Sequence, residues 1–110
     1  MTIEKILQQR GNRYGEFTDN ASISQQLKDT IIHGKNYPEL NYIHIEAIHN
    51  IFQKIARIVN GDPNYIENWK DIIGYSQLVI NELMQTDGAT DGKVIQMIVR
   101  NKQLIPYNLN

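Results

Sequence analysis

The residues best suited to chemistry form two polar stripes on either side of an Asn-Gly-Asp-Pro turn. Lys54 and Arg57 precede the turn, and Asn68, Asp71 and Tyr75 follow it. Spacings of three and four residues place each set on one face of a helix. Lysine and arginine bind phosphate, a carboxylate binds hard cations such as Mg²⁺, and a tyrosine ring can stack on a base. The same spacings also describe the solvated faces of two amphipathic helices, so the sequence leaves both interpretations open.

Apolar periodicity predicts the helices that would position these stripes. The strongest repeat contains Ile48, Ile51, Ile55 and Ile58, and Gly61 follows it as a C-terminal stop. After the turn, an asparagine followed three residues later by a glutamate resembles a capping box that begins the next helix. The complete pattern predicts helices at residues 2–12, 20–33, 41–60 and 65–84, with a further helix at 91–101.

These elements predict an all-α fold, a small helical bundle that forms a single domain over residues 1–110. The tight turn predicts that the third and fourth helices form a central antiparallel hairpin. The core bundle is expected at about residues 2–84, while residues 85–110 carry apolar side chains suited to a contact within a homo-oligomer. The predicted core consists of Leu27, Ile48, Ile51, Phe52, Ile55, Ile58, Trp69, Ile72, Val79 and Leu83.

Composition excludes several classes of function. Lys plus Arg number 11 and Asp plus Glu number 12, so the net charge of -1 argues against a polybasic partner of duplex nucleic acid. The absence of cysteine excludes disulfides, thiolate metal sites and cysteine nucleophiles. No apolar run reaches the roughly 18 residues that a spanning helix needs. We therefore expect a cytoplasmic protein without a membrane partner.

Three sequence elements resemble a small family of phage-encoded all-α proteins. Two are continuous, K-I-A-R-I-V-N-G-D-P at 54–63 and W-K-D-I-I-G-Y at 69–75. The third is a looser set formed by Arg13, Tyr14, Gly15, Phe17, Asn20 and Ala21. That family is in turn remotely similar to the MazG-like all-α nucleoside triphosphate pyrophosphatases. The resemblance implies a nucleotide ligand in contact with Arg13, Tyr14, Phe17, Asn20, Lys54, Arg57, Asn68, Asp71 and Tyr75.

The resemblance also bears on catalysis, because the MazG-like enzymes hold Mg²⁺ with an E-x-x-E helix and an E-x-x-D helix. The corresponding positions here are Glu46 and His49, then Asn68 and Asp71, so two of the four acids are replaced. Glu67 lies one position away from Asn68 and points about 100° from it. For an enzyme, the implied metal ligands are Glu46, Glu67 and Asp71, whereas without catalysis no metal or cofactor is expected.

The incomplete acid set favours nucleotide binding without hydrolysis. The first hypothesis is a phage protein that captures phosphorylated nucleotides, and that sequesters nucleotide second messengers of bacterial anti-phage defence in the host cytoplasm. One alternative is a Mg²⁺-dependent nucleoside triphosphate pyrophosphohydrolase of the MazG-like type. The other alternative is a non-catalytic helical module that binds a protein. In that case both polar stripes are solvent-exposed helix faces that bind no ligand.

Overall fold

The computed structural model describes residues 2–86 as four α-helices and one short 3₁₀ turn. The helices are α1 (Ile3–Tyr14), α2 (Phe17–Ile31), α3 (Tyr42–Asn60) and α4 (Ile66–Thr86), and the 3₁₀ turn (Tyr37–Glu39) precedes α3. These residues contain no strand, which confirms the predicted all-α class. None of the four helices combines the length and apolar character needed to cross a membrane. The predicted helix at 91–101 and the tail beyond residue 86 lie outside the described residues.

Helix α3 is the central element, because α2 and α4 both pack against it and α1 makes a smaller contact with it. The buried apolar residues of the described chain are both alanines of α3, Ala47 and Ala56. Small side chains at a contact let neighbouring helix axes approach each other closely. The larger predicted core residues of α3 are only partly covered, so much apolar surface of the bundle stays accessible.

None of the ten predicted core residues is as deeply buried as Ala47 and Ala56: eight are partly covered, and Trp69 and Leu83 are exposed. Trp69 is half exposed, and its indole Nε1 donates a hydrogen bond to the Pro63 carbonyl at 3.0 Å. The ring therefore covers the turn before α4, which suits a side chain with an apolar body and one polar atom. Leu83 is also nearly half exposed.

The first two helices are longer than the sequence predicted. α1 continues through Gly11 to Tyr14, and α2 begins at Phe17 instead of residue 20. A glycine inside a helix costs only about 1 kcal/mol relative to alanine, so neighbouring residues can override it. The helix ends at Tyr14 and is capped by Gly15, whose φ of 84° lies in the region that favours glycine. The predicted end at residue 12 was therefore two residues too early.

A capping box at the start of α3 was missed, although its residues are visible in the sequence. Asn41 Oδ1 accepts hydrogen bonds from the backbone N–H of Ile43 and His44, at 2.9 and 3.0 Å. The His44 Nδ1 accepts the Asn41 N–H at 3.2 Å and so completes the box. Histidine takes the place that glutamate or glutamine usually occupies, so the sequence departs from the usual capping-box pattern.

Replacing this cap should weaken the fold modestly. Asn41→Ala is expected to lower the free energy of unfolding by about 1 kcal/mol, because two N–H groups of the first turn lose their acceptor. Chemical denaturation measures the change. Asn64→Ala is the control: α4 begins at Ile66, two residues after Asn64, so the predicted cap at Asn64 is not formed, and the recorded bond to Asp62 Oδ1 is donated by the Asn64 backbone N–H, which alanine keeps. Equal losses in the two variants would show that Asn41 is not a significant cap.

Candidate functional site

The C-terminal end of α1, the start of α2 and the end of α3 meet at one junction. The Asp62 N–H donates to the Arg13 carbonyl at 2.9 Å, which ties the turn after α3 to α1. Asn20 Nδ2 donates to the Tyr14 carbonyl at 2.7 Å, and Asn60 Nδ2 donates to Asn20 Oδ1 at 3.2 Å. Two asparagine carboxamides thus join three helix ends. The predicted ligand residue Asn20 uses its side chain mainly to position its neighbours.

Two glycines bring the backbones of this junction into direct contact. A Cβ atom on Gly61 would lie 2.6 Å from the Arg13 carbonyl oxygen and 2.7 Å from the Gly15 nitrogen. A Cβ atom on Gly15 would lie 2.5 Å from Asn60 Nδ2 and 2.7 Å from the Asn60 carbonyl oxygen. No side chain larger than hydrogen fits at either position without movement of the backbone. The glycines of the Tyr-Gly and Asn-Gly-Asp-Pro motifs therefore fix how α1 meets α3.

The junction gathers arginines around the ring of Tyr14. The Arg57 Cζ lies 4.5 Å from the centre of this ring, and the Arg10 Cζ lies 5.1 Å from it. Both distances are within the range of a cation–π contact. The ring of Tyr14 also meets the ring of Tyr65 edge to face, with 5.8 Å between their centres. Tyr14 therefore orients a guanidinium group from α1 and another from α3.

Arg13 belongs to the same cluster through Tyr65. Its Cζ lies 4.5 Å from the centre of the Tyr65 ring, and its Nη1 donates to the Tyr65 hydroxyl at 3.4 Å. Arg13 also borders an open cleft on the outer side of α1, together with Arg10, Tyr14 and Asp62. Three guanidinium groups and two tyrosine rings thus lie side by side. We call Arg10, Arg13, Arg57, Tyr14 and Tyr65 the arginine–tyrosine cluster.

The arginines of this cluster keep most of their hydrogen-bonding capacity. Within residues 2–86, none of the three forms an ion pair with a carboxylate, since the ion pairs there join Lys54 to Asp71 and Lys70 to Glu67. A guanidinium group that lies over a ring keeps the N–H donors in its plane available, and the hydrogen bond recorded for these three groups within residues 2–86 is the one from Arg13 Nη1 to the Tyr65 hydroxyl. Such a group is oriented to meet a phosphate with two parallel hydrogen bonds.

Arg10 and Arg57 face a cleft of about 330 Å³. We call it the arginine cleft, and its lining is Leu7, Arg10, Gly11, Tyr14, Gly15, Glu16, Phe17, Asn20 and Arg57. The charged residues of this lining are two arginines and Glu16, so the lining has a net charge of +1. The first turn of α2 opens beside it, and Glu16 at the N-cap position makes no side-chain hydrogen bond to that turn. The dipole of α2 favours an anion at this end, and the carboxylates of Glu16 at the N-cap and Asp19 in the first turn offset part of that attraction.

A second hollow, the α2/α3 groove, continues from the arginine cleft. Its volume is about 270 Å³, and it shares Phe17, Asn20 and Arg57 with the cleft. Phe17 is 82% exposed, so its ring is accessible at the rim of both. The remaining lining residues are Ala21, Ser24, Gln25, Lys28, Gln53 and Ala56. Cleft and groove together form one concave surface whose lining contains three cations, two aromatic rings and three side-chain amides.

The two predicted cations of α3 lie in different surroundings. Lys54 forms an ion pair with Asp71 of α4 at 3.1 Å, and its side chain is largely buried. Arg57 contacts Tyr14 and lines the concave surface next to α2. Three residues correspond to about 300° of helical rotation, so the two side chains diverge by about 60°. The predicted single stripe is therefore divided between α4 and α2.

The predicted ligand residues of α4 are also remote from the arginine cleft. Asp71 and Tyr75 border an open surface of α4 with Lys70, Gly74 and Leu78. Asn68 is only 1% exposed, and its Nδ2 has no hydrogen-bond partner within the described chain. These side chains line neither the arginine cleft nor the α2/α3 groove. Of the nine predicted ligand residues, the structure brings Tyr14, Phe17, Asn20 and Arg57 together in the arginine cleft, and Arg13 lines a separate cleft that shares Arg10 and Tyr14 with it.

The carboxylates proposed as metal ligands for an enzyme have other partners. Asp71 pairs with Lys54, and Glu67 lies 3.8 Å from Lys70. Glu46 Oε2 accepts a hydrogen bond from Asn50 Nδ2 at 3.4 Å. Among residues 2–86, no three His, Cys, Asp or Glu side chains are grouped so as to hold a metal ion. The geometry of this part of the chain therefore gives no support to the two-helix acid site.

Sequence reasoning missed two members of the cluster, Arg10 and Tyr65. Arg10 and Tyr14 are four residues apart, a spacing that brings side chains together on a helix. The signal was present, but the predicted end of α1 at residue 12 placed Tyr14 in a loop. No local sequence spacing could indicate Tyr65, because its contacts with Tyr14 and Arg13 join residues about fifty positions apart.

Comparison with models of known families, with curated proteins and with solved structures gives no match to this chain. Its site is therefore interpreted from its own residues.

Proposed function

We propose that this protein binds a phosphorylated nucleotide in the arginine cleft, without a metal ion. The observation that carries the proposal is Arg57, which is partly buried, is held by Tyr14, and makes no ion pair within residues 2–86. A guanidinium group in this state is ready for a phosphate, because orienting it requires no further loss of freedom. Arg10 and the start of α2 strengthen the attraction from the other side of the cleft.

The nucleoside part of the ligand is assigned to the α2/α3 groove. Phe17 offers an exposed ring on which a base can stack, and such stacking is worth about 1–3 kcal/mol per base. Gln25 and Gln53 offer amide donors and acceptors for the edge of the base. The cleft and the groove have the size and the mixed apolar and polar lining of small-molecule sites.

We infer in addition that α3 and α4 form a central antiparallel hairpin and that the protein is a homo-oligomer. Only residues 61–65 separate the two helices, and the ion pair of Lys54 and Asp71 joins them near this connection. Large apolar side chains are exposed on every helix, and such surfaces are typical of subunit contacts. The most exposed are Ile3, Leu7, Phe17, Tyr42, Val59 and Leu78.

The biological role that we propose is capture without turnover. The resemblance to phage proteins suggests a protein of the host-cell cytoplasm that sequesters nucleotide second messengers of bacterial defence. The separate partners of Glu46, Glu67 and Asp71 favour this role over hydrolysis.

Calorimetric titration with a chelator present tests the proposal. The panel contains nucleoside monophosphates, diphosphates and triphosphates, together with cyclic mononucleotides and cyclic dinucleotides. We expect at least one of them to bind, and the nucleoside without phosphate to bind at least tenfold more weakly, because it lacks the charge-assisted bonds to arginine.

Chromatography of the recovered ligand serves as the second measurement. We expect the nucleotide to be recovered intact after prolonged incubation with the protein and Mg²⁺. Failure of every phosphorylated ligand in the panel to bind would refute the proposed function, and release of pyrophosphate would refute capture without turnover.

A further inference from the structure

Lys28 lies at the far end of the α2/α3 groove from the arginine cleft. It follows Phe17, Ala21 and Ser24 at helical spacing along the face of α2 that lines the groove. Its side chain is partly buried, and it forms no ion pair within residues 2–86. Eight residues separate Lys28 from Asn20, which is about 12 Å along the helix axis. The groove therefore has a cation at each end.

The lining between these two cations carries no charge. Ser24 and Gln25 come from α2, and Gln53 and Ala56 come from α3. Ser24 is buried beneath the groove, whereas the two glutamines are exposed at its sides. This middle section suits an uncharged group that offers hydrogen-bond donors and acceptors, such as a nucleoside.

We propose that the ligand carries phosphate groups at two separate positions, with its nucleoside between them. One phosphate meets Arg57 and the other meets Lys28, while the nucleoside lies over the uncharged middle of the groove. This inference rests on the proposed function, and it narrows the ligand to a class that includes nucleoside bisphosphates and dinucleotides. A nucleotide with one phosphate, or with all its phosphates in one chain, leaves Lys28 without an anionic partner.

Two ligands with the same number of phosphates distinguish the position of the phosphates from their number. The nucleoside 3′,5′-bisphosphate carries its phosphates on both sides of the sugar, whereas the nucleoside 5′-diphosphate carries them in one chain. With the base that binds best, we expect the bisphosphate to bind the unaltered protein at least tenfold more tightly. The additional contact is a charge-assisted one, and contacts of this kind are the stronger hydrogen bonds in proteins.

The variant Lys28→Gln assigns the effect to one residue. We expect it to weaken binding of the 3′,5′-bisphosphate about tenfold or more and to change binding of the 5′-diphosphate less than twofold. Lys35→Gln is the matched control, because it removes the same charge from an exposed lysine beyond the end of α2 that does not line the groove. This control should leave both affinities unchanged.

The outcomes separate this inference from the proposed function. The inference would be overturned if the unaltered protein bound the two ligands equally tightly and Lys28→Gln changed neither affinity. The proposed nucleotide binding would still stand in that case. A similar loss in Lys28→Gln and Lys35→Gln would also overturn it, since the effect would then be general charge. If no phosphorylated ligand binds at all, the proposed function fails and the inference fails with it. Unchanged thermal midpoints of both variants show that the fold is preserved.

Discussion

The Gly61→Ala substitution is expected to lower the free energy of unfolding by about 1–3 kcal/mol, a substantial fraction of the stability of a small domain, because it displaces the weakly packed helix α1 from the end of α3. The added Cβ would lie 2.6 Å from the Arg13 carbonyl oxygen and 2.7 Å from the Gly15 nitrogen. Both atoms belong to backbone, which cannot turn away as a flexible side chain can. Relief of the contact requires α1 to move off the end of α3, which breaks the hydrogen bond from Asp62 to Arg13.

Urea denaturation followed by circular dichroism measures this loss, and Gly74→Ala provides the control. Gly74 lies inside α4, and a Cβ added there meets nothing within 4 Å. Alanine at an exposed helical site should raise the free energy of unfolding by about 0.5–1 kcal/mol. The two glycine substitutions are therefore expected to act in opposite directions. Similar stabilities for the two variants would show that the close contact at Gly61 is not maintained in solution.

The second large effect is expected from Arg57→Gln, which should weaken nucleotide binding by about 1.5–3 kcal/mol, or roughly 10- to 150-fold. Arg57 supplies the guanidinium group shared by the arginine cleft and the α2/α3 groove. The fold should lose only the cation–π contact with Tyr14, worth about 0.5–2 kcal/mol. Calorimetry with the best ligand of the panel measures the affinity, and a thermal melt measures the stability.

Lys54→Gln is the matched control for Arg57, because it removes the same charge from the same helix three residues away. Lys54 is paired with Asp71 and lines neither hollow, so its loss should leave nucleotide affinity unchanged. Equal losses of affinity in the two variants would indicate a general electrostatic effect. If Arg57→Gln binds the nucleotide as tightly as the unaltered protein does, the arginine cleft is not the phosphate site.

The sequence predicted α3 well because two independent signals agree there. The apolar repeat defines its length, and Gly61 ends it, so the predicted 41–60 differs by one residue from Tyr42–Asn60. The start of α2 was predicted poorly because Phe17 begins the helix without a side-chain cap from Glu16. No N-cap signal marks that position, and the asparagine and serine residues that follow suggested a later start.

The site was predicted in part for a related reason. Helical spacing shows that Lys54 and Arg57 lie near the same face of α3, but it does not show which neighbouring helix covers each part of that face. A divergence of about 60° is enough to direct Lys54 to α4 and Arg57 to α2. The packing of α3 between two helices is a tertiary property, and no local pattern contains it.

The backbone amide of Asp62 reports on whether α1 is docked against the end of α3. Its hydrogen bond to Arg13 belongs to no helix, and it is broken whenever α1 leaves the end of α3. α1 has no buried residue of its own, so its docking is one of the low-energy openings of the fold. Hydrogen exchange at this single amide therefore records the fraction of time that α1 is docked. An anion held by Arg10 on α1 and Arg57 on α3 would slow that exchange without touching Asp62.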